Sequence, residues 1–359
     1  MNELFQDIKV IELASVLAGP AVGMFFAELG AEVVKIENKR TGGDVTRTWR
    51  LPTEAADAPV SAYYCAINWN KSVELLDLSQ ADDRAKVHAL VKEADIVIAN
   101  YKKSSAQKLQ MDYDYLKTLN PTLIYGNISG FGEDSSRVAF DVVLQAESGF
   151  MYMNGQPDSL PTKMPVALID VLAAHQLKEG LLVALLNRYK TGKGAYVSVS
   201  LLEAAVASLS NQATNWLMGG HIPQRMGSLH PNIAPYGELF QTKDKQLVIL
   251  SIGSNKQFEG LCHCLERLDL LEALSYKTNA LRVKNRVALA EILELCFAEM
   301  DAATILERCH KNFVPIGLVR DMKAVFEQDT AAAMILEEEI NGLRTQRVRT
   351  AAFKLDMQQ

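Results

Sequence analysis

The sequence predicts an α/β fold in which a doubly wound, mostly parallel sheet forms a large domain and a smaller α+β domain follows it. Short β-rich runs alternate with helical runs over about the first 200 residues, the pattern of β-α units in a parallel sheet. The runs at 95–100 (DIVIAN) and 123–129 (LIYGNIS) are largely apolar, as in strands buried on both faces. A ligand site in such a sheet lies at the carboxyl ends of its strands.

The elements of the large domain follow from local patterns. The helix after the first strand has a proline in its first turn, and the longest helix carries apolar residues at helical spacing before the sequence TGKG (191–194) ends it. We expect strands at Lys9–Glu12, Glu32–Glu37, Ser72–Leu76, Asp95–Asn100, Leu123–Ser129 and Tyr196–Leu201. The expected helices are Pro20–Leu29, Ala81–Ala94, Asp170–Tyr189 and Leu202–Met218.

The pattern changes after Gly219-Gly220. A loop rich in glycine, proline, histidine and asparagine extends to Tyr236, and a β-hairpin around 243–245 and mostly helical sequence follow it. We therefore assign 220–325 to a small domain. Residues 1–219 form the large domain, together with 326–359, which hold a short helix and a β-like stretch.

Composition excludes several classes of protein. With 43 acidic and 37 basic residues the net charge is −6, which argues against a nucleic-acid surface. No segment reaches the ~20 apolar residues of a membrane-spanning helix, so we expect no membrane partner. The five cysteines are odd in number and scattered, which favours reduced thiols and a cytoplasmic location. Cys262-His263-Cys264 lacks a second ligand pair, so we expect no metal site.

Common catalytic motifs are missing from the sequence. No Gly-x-Gly-x-x-Gly follows the first strand, and there is no P-loop, no Gly-x-Ser-x-Gly and no His-Glu-x-x-His. These absences make a nicotinamide or flavin enzyme and a serine hydrolase weak interpretations.

Asp170 is the most informative acid. It lies between an apolar run, 166–169, and the start of the long helix, near the helix N-cap. A carboxylate there can accept backbone N–H bonds and interacts with the positive end of the helix dipole, so we expect it to stay ionised. From position alone, the simpler interpretation is that Asp170 is only a cap.

Two further features lie at expected strand ends. The segment 16–20 (VLAGP) has small residues and free helix-start N–H groups that suit an anionic ligand, although an ordinary βα turn has the same composition. Several basic side chains lie next to the ends of strands, where they could bind the phosphates of a nucleotide-like ligand. Taken singly, each such charge run is more often part of a solvent-exposed face. These basic side chains are Arg47, Lys71, Lys102, Lys103 and Lys108.

The order of these features resembles the class III CoA-transferases, which include formyl-CoA transferase and carnitine CoA-transferase and are related to 2-methylacyl-CoA racemase. The similar segments span nearly the whole chain. They are LAGPAVGMFFAELGAEVVKIENKRTGGDVTR (17–47), NWNKSVELLDL (68–78), ADIVIANYKK (94–103), NPTLIYGNISGFG (120–132), FDVVLQAESGFM (140–151), 169–204, HPNIAPYGELFQTKD (230–244) and FVPIGLVRDMKAVFEQD (313–329).

The resemblance implies a role for individual residues. Asp170 matches the family's nucleophile, and Val16, Ala18, Lys71, Asn100 and Lys108 match positions near coenzyme A. Asn38 stands where the family often has an arginine, so the neighbouring Lys39 and Arg40 are candidates for binding the adenosine phosphates. Lys102 stands where an arginine commonly follows the fourth strand.

The resemblance also implies the partners. They are an acyl-CoA, a carboxylic acid and a second copy of the chain in an interlocked homodimer. Coenzyme A is a substrate, and no permanently bound cofactor is expected.

Two alternatives stay open. A racemase or epimerase acting on 2-methylacyl-CoA needs a second acid–base group, which that enzyme supplies as a histidine where this chain has Phe140. Phenylalanine cannot transfer a proton, so racemisation is disfavoured. A coenzyme A-binding protein without turnover is the other alternative, and the presence of Asp170 argues against it.

Overall fold

A six-stranded parallel sheet is the centre of the larger part of the protein in the computed structural model, which describes residues 4–356. Its strands are β1 (Lys9–Leu13), β2 (Glu32–Asn38), β3 (Ser72–Leu76), β4 (Ile96–Ala99), β5 (Ile124–Ser129) and β6 (Ala195–Ser200). They lie in the order β3-β2-β1-β4-β5-β6, and each neighbouring pair is parallel. This order reverses direction between β1 and β4, which confirms the expected doubly wound parallel sheet.

Helices cover both faces of this sheet. The helices up to residue 219 are α1 (Ala18–Glu28), α2 (Ala62–Cys65), α3 (Ala81–Glu93), α4 (Lys103–Leu109), α5 (Tyr113–Leu119), α6 (Asp141–Glu147), α7 (Phe150–Met153), α8 (Leu168–Thr191), α9 (Leu201–Ala207) and α10 (Ser210–Gly219), with short 3-10 helices at Lys39–Thr41 and Val45–Thr48. Strand β4 shows how the two cores form, because successive side chains point to opposite faces. Ile96 and Ile98 pack in the core with α1 and α8, whereas Val97 and Ala99 pack in the core with α3 and α5.

A second unit has an antiparallel sheet and its own core. Its strands are β7 (Tyr236–Gln241), β8 (Leu247–Ser251) and β9 (Ile316–Leu318), and its helices are α11 (Asn255–Cys264), α12 (Asp269–Glu272), α13 (Asn279–Lys284), α14 (Arg286–Ala298), α15 (Ala302–Lys311) and α16 (Met322–Phe326), with a 3-10 helix at Leu274–Tyr276. Phe240 of β7 stacks on Phe297 of α14 with ring centroids 4.7 Å apart. Cys262 and Cys264 of α11 are buried in this core.

The C-terminal segment belongs to the first unit. After α17 (Asp329–Ala332) the chain forms an antiparallel hairpin of β10 (Ile335–Ile340) and β11 (Leu343–Val348). The buried carboxylate of Glu28 on α1 then accepts hydrogen bonds from the backbone N–H groups of Thr350 and Ala351. These bonds fix the end of the described chain against α1.

The chain divides into units at positions slightly different from the expected boundaries. Residues 1–151, 163–223 and 330–359 form the first unit, and 152–162 with 224–329 form the second. The expected boundaries, at 219/220 and 325/326, lie a few residues earlier. The sequence places residues 152–162 in the large domain, because no change of composition marks them. In the structure these residues belong to the second unit.

The helix expected at 202–218 is interrupted. It consists of α9 and α10, and Ser210 at the junction has a φ of 48°. A positive φ at a residue other than glycine breaks the helical hydrogen-bond pattern. The apolar spacing continues across this break, so periodicity does not reveal it.

Candidate active site

The crevice between β1 and β4 lies where the sheet reverses direction. Asn100, directly after β4, bridges this crevice through its side-chain amide. The amide nitrogen donates to the carbonyl oxygen of Ser15 at 2.9 Å, and the amide oxygen accepts from the Ser15 N–H at 3.2 Å. Asn100 thereby fixes the turn that follows β1 against the end of β4, at the place where ligands bind in open α/β sheets.

A cavity of about 520 Å³ opens at this edge of the sheet. Its walls come from the turn 15–18, from the start of α4, from β5 and the loop after it, and from the beginning of α8. Its charged and polar lining residues include Asn100, Lys102, Lys103, Asp112, Asp114, Asn127, Glu133, Arg137 and Asp170. The volume and the mixture of apolar walls with few polar groups are those of a small-molecule site.

Asp170 lines this cavity from the first turn of α8. Its side chain is buried, with 8% of the residue exposed. Burial, and to a smaller extent the charge of Asp141, raise the pKa of Asp170 to about 7, and no hydrogen bond from a described residue offsets them. Asp170 does not cap α8 in the structure, and its burial opposes the ionised form that we expect at a helix start.

The cap of α8 comes from Asp141, the first residue of α6. One of its carboxylate oxygens accepts a hydrogen bond from the N–H of Ile169 at 2.8 Å, and the other accepts from the side-chain amide of Gln145 at 2.6 Å. The buried Gln145 also accepts from the N–H of Met164 at 2.8 Å. Asp141 and Gln145 thus fix the segment that leads into Asp170 and satisfy a backbone donor that a local cap otherwise takes.

The turn after β1 has an unusual backbone at Val16, whose φ is 72°. A β-branched residue rarely adopts a positive φ, so contacts elsewhere must hold this conformation. The Val16 N–H donates to the carboxylate of Asp44 at 3.2 Å. The first amides of α1, like those of any helix, lack intrahelical acceptors, and no N-cap side chain accepts from them. Val16 and Ala18 line the cavity at this helix start.

Lys71 lies in a buried ion cluster behind this turn. Its ammonium contacts a Glu12 carboxylate oxygen at 2.7 Å and donates to the carbonyls of Pro20 and Ile67, each at 2.8 Å. Burial lowers the pKa of Lys71 to about 8, although Glu12 opposes that effect. Lys71 is not among the residues that line the cavity, so the structure gives it a packing role, and its expected contact with coenzyme A stays a prediction.

The same cluster explains the glycine-rich loop at 42–47. Lys35 bridges Glu12 at 2.7 Å and Asp44 at 3.2 Å. The N–H of Asp44 donates to Glu37, which also forms an ion pair with Arg47 at 2.7 Å. Arg47, a candidate phosphate ligand on sequence grounds, is thus bound to a carboxylate of its own chain.

The other predicted ligand-binding residues lie around the cavity rather than all within it. Lys102 lines it and donates to the carbonyl of Ser136 at 2.9 Å. Lys108 is exposed on α4, outside the lining. Asn38 at the end of β2 and the two residues after it, Lys39 and Arg40, are exposed, and the Asn38 side chain accepts from the Arg40 N–H at 3.0 Å. Their roles stay predictions.

Several lining residues carried no sequence signal. Tyr125 and Tyr196 are register partners on β5 and β6, and their rings stack with centroids 5.7 Å apart beside Tyr113. Arg137 lies over the Phe131 ring at 3.6 Å and forms an ion pair with Glu147. Parallel pairing joins strands that are distant in sequence, so only a register prediction for β5 and β6 identifies the tyrosine pair in advance.

Within residues 4–356, none of the helices combines the length and the apolar composition of a membrane span. In the same range, no group of three histidine, cysteine, aspartate or glutamate side chains is placed to hold a metal ion.

Comparison with known proteins gives consistent matches over nearly the whole chain. The model of CoA-transferase family III matches residues 5–359. A succinate–glutarate CoA-transferase of Agrobacterium fabrum is 38% identical over 89% of this chain and 80% of that enzyme. The human succinyl-CoA:glutarate CoA-transferase is 33% identical over 91% of this chain and 73% of its own. The crystal structure of a CAIB/BAIF family protein from Brucella suis superposes with a TM-score of 0.87 at 35% identity, over 98% of this chain and 92% of that one.

Proposed function

Because the chain belongs to CoA-transferase family III and is a class III CoA-transferase, we propose that Asp170 is the nucleophile through which it transfers coenzyme A. The observation that carries this proposal is the buried carboxylate of Asp170, which lies in the wall of the cavity at the strand ends and accepts no hydrogen bond from residues 4–356. A carboxylate outside water and without strong donors is a better nucleophile than a solvated one.

The reaction proceeds through covalent intermediates on Asp170. A carboxylate oxygen attacks the acyl carbon of the donor, the carbon–sulfur bond breaks, and coenzyme A leaves as a thiolate with the electron pair. The product is a mixed anhydride. The thiolate then attacks the Asp170 carbonyl carbon, which releases the donor acid and leaves an aspartyl-CoA thioester.

The acceptor acid completes the cycle. Its carboxylate attacks the aspartyl thioester and expels the thiolate, which forms a second anhydride between Asp170 and the acceptor. The thiolate attacks the acceptor carbonyl, so the acceptor leaves as its CoA thioester and Asp170 regains its negative charge. Each step needs the reactants held close together, since carboxylates and thioesters react slowly in dilute solution.

Coenzyme A binds along the cavity in this proposal. The first-turn amides of α1 near Ala18 stabilise the oxyanion of the thioester, and Asn100 holds that turn in place. Lys102 and Lys103 line the cavity and provide positive charge for the phosphates. Lys39, Arg40 and Lys108 lie outside it and are assigned to the exposed adenosine end.

We assign short dicarboxylic acids as the donor and acceptor acids. Two curated relatives that cover most of this chain are named for succinate and glutarate, and Arg137 supplies a cationic group in the cavity for a second carboxylate. The protein is therefore expected to accept succinyl-CoA with glutarate better than acetyl-CoA with acetate.

The experiment that tests the proposal traps Asp170. With succinyl-CoA and hydroxylamine, mass spectrometry is expected to find a hydroxamate on the peptide that contains Asp170. Asp170→Ala is expected to fold, to bind coenzyme A and to lose transfer to glutarate. Asp82→Ala, which removes an exposed aspartate from the first turn of α3, is the matched control and is expected to keep full activity. Transfer near the wild-type rate in Asp170→Ala would refute the assignment.

A deuterium-exchange experiment on the same preparation distinguishes coenzyme A transfer from racemisation. Phe140 lines the same cavity as Asp170 and cannot move a proton. We expect 2-methylacyl-CoA in deuterated water to gain no deuterium at its α-carbon. Exchange at that carbon, lost in Asp170→Ala, would show that the racemase is the better interpretation. A protein that binds coenzyme A but forms no Asp170 adduct with any acyl-CoA would be a binding protein.

A further inference from the structure

Asp141 is a second acid near the nucleophile, and the proposed reaction gives it no role. Its carboxylate is fixed by two N–H donors, from Ile169 at 2.8 Å and from Gln145 at 2.6 Å. Ile169 is the residue before Asp170, so the Asp141 carboxylate is bonded to the backbone directly next to the nucleophile. Both oxygens accept hydrogen bonds, which is the bonding pattern of an ionised carboxylate.

The two carboxylates have unequal surroundings. Asp141 takes the backbone donor at the start of α8, whereas Asp170 in the same turn is buried and has no hydrogen bond from a described residue to offset burial. A negative charge on Asp170 therefore meets both a low-dielectric environment and a like charge, and each disfavours the ionised form.

The other ionisable groups of the surrounding elements do not compensate for this repulsion. Those on the elements packed against α8 are Glu28 of α1, Asp141 and Glu147 of α6, Glu203 of α9, Tyr125 of β5 and Tyr196 of β6. Helix α8 itself also carries His175, Lys178, Glu179, Arg188, Tyr189 and Lys190, the last three in its final turn. Glu28, Glu147 and Glu203 have hydrogen-bond partners of their own. Tyr63 of α2 is near enough for the charge of Asp170 to raise its pKa. Among all of these, Asp141 is the group whose charge acts on the pKa of Asp170.

We propose that Asp141 is a positioning residue that destabilises the free Asp170 carboxylate relative to its covalent intermediates, by holding a second negative charge beside it while capping α8 in its place. This inference rests on the proposed function. When Asp170 forms its bond to the acyl carbon, the carbon–sulfur bond breaks and the negative charge leaves with the sulfur. The anhydride and the aspartyl thioester carry no charge on Asp170, so the repulsion disappears on acylation and returns when the carboxylate is regenerated.

The test removes the charge of Asp141 and keeps its cap. Asp141→Asn removes the charge and keeps a side-chain oxygen of the same length as an acceptor for the Ile169 N–H, and Asp141→Ser removes the charge with a shorter hydroxyl. Asp141→Glu keeps the charge. Asp321→Asn is the matched control, because Asp321 caps α16 through the Ala324 N–H at 2.8 Å and lies in the other unit.

The measurement is the pH dependence of Asp170 acylation in a single turnover of the full chain with succinyl-CoA, read as the hydroxamate on Asp170. Acylation by the wild type is expected to rise through pH 7, because the carboxylate must be ionised to attack. In both uncharged variants this rise moves to lower pH, and the acylated fraction at pH 8 falls severalfold, because the free carboxylate is no longer destabilised by the charge of Asp141. Asp141→Glu and the control keep the wild-type profile.

The outcomes separate this inference from the proposed function. No Asp170 adduct in the wild type would remove the proposed function itself. An adduct with the same pH profile and acylated fraction in both uncharged variants would overturn the role of Asp141 alone. Two uncharged caps of different size keep the comparison possible when one of them does not fold. If neither variant folds, Asp141→Glu decides. Because this variant keeps the charge, a shift of its acylation profile to lower pH would overturn the inference.

Discussion

At Asp170, reactivity and stability have opposite requirements. The carboxyl group has an ordinary pKa of 3.8, and burial with the charge of Asp141 raises its pKa to about 7. Between these two pH values the unfolded chain loses a proton that the folded chain keeps. The contribution of this group to stability is therefore complete below about pH 4 and is lost as the pH rises through 7.

Asp170→Asn is expected to stabilise the fold at pH 8. The rise in pKa corresponds to roughly 4 kcal/mol, which is an upper limit because a buried amide without a partner also has a cost. Urea unfolding at pH 5 and pH 8 measures the difference, and the variant's advantage should be larger at pH 8. Asp95→Asn is the control, because loss of the 2.8 Å ion pair between Asp95 and Arg188 is expected to lower the free energy of unfolding. An equal advantage at both pH values would contradict the prediction.

The sequence predicts that Lys71 and Lys108 both lie near coenzyme A, but in the structure Lys71 is buried in an ion pair and Lys108 is exposed. Lys71→Met is expected to lower the free energy of unfolding by about 3 kcal/mol, because Glu12 loses a buried partner. Lys108→Met removes an exposed charge and should leave stability within roughly 0.5 kcal/mol. Thermal unfolding with and without coenzyme A checks both. A stable Lys71→Met protein with weakened coenzyme A binding would restore the role expected from sequence.

At the scale of elements, the turn between β1 and α1 depends on a distant loop. The positive φ of Val16 is held by Asp44, and Asp44 is held by Lys35 and by the cap that it forms on the 3-10 helix Val45–Thr48. The glycine-rich loop therefore acts on the cavity indirectly, by fixing the backbone that lines it.

Asp44→Ala is expected to raise the KM for acyl-CoA about tenfold, with a smaller change in kcat, because the turn loses the acceptor of the Val16 N–H. Removing one partner of Lys35 also lowers stability. Steady-state kinetics and urea unfolding measure the two effects. Asp77→Ala is the matched control, since Asp77 forms a similar turn with Ser79 on the exposed surface. Equal KM values in the two variants would exclude this role for Asp44.

At the scale of the whole molecule, the exposed face of α8 favours a second copy of the chain. Leu182, Val183, Leu186 and Tyr189 lie at helical spacing and are exposed, Tyr189 by 91%. An apolar stripe of this kind on a charged protein is typical of an interface. We therefore keep the interlocked homodimer as a proposal, with this stripe as its support.

Two differently tagged preparations, mixed after folding, are expected to form no hybrid dimer over hours, because interlocked chains separate only by unfolding. Native mass spectrometry measures the hybrid fraction. Co-expression of the two tagged chains is the positive control and should give hybrids. A monomer at low micromolar concentration, or hybrids within minutes, would contradict the proposal.

The sequence alone determined the elements whose signals are local. Apolar runs located the six strands, and the order of motifs identified the family and singled out Asp170. The strand predictions are confirmed because strand propensity and binary patterning act over a few residues, whereas the role of Asp170 stays a proposal. The same local patterns placed Val16, Ala18, Asn100 and Lys102 at strand ends, where they line the cavity.

Only the tertiary structure decided what each charge contacts. The sequence suggests that Lys71 and Arg47 bind phosphates, because both lie near strand ends, yet both contact carboxylates of their own chain. Asp170 has the position of a cap, yet Asp141 from another helix accepts the bond. Burial and pairing depend on residues 10 to 60 positions away in the sequence, and they fix the energy of a charge more strongly than its neighbours along the chain do.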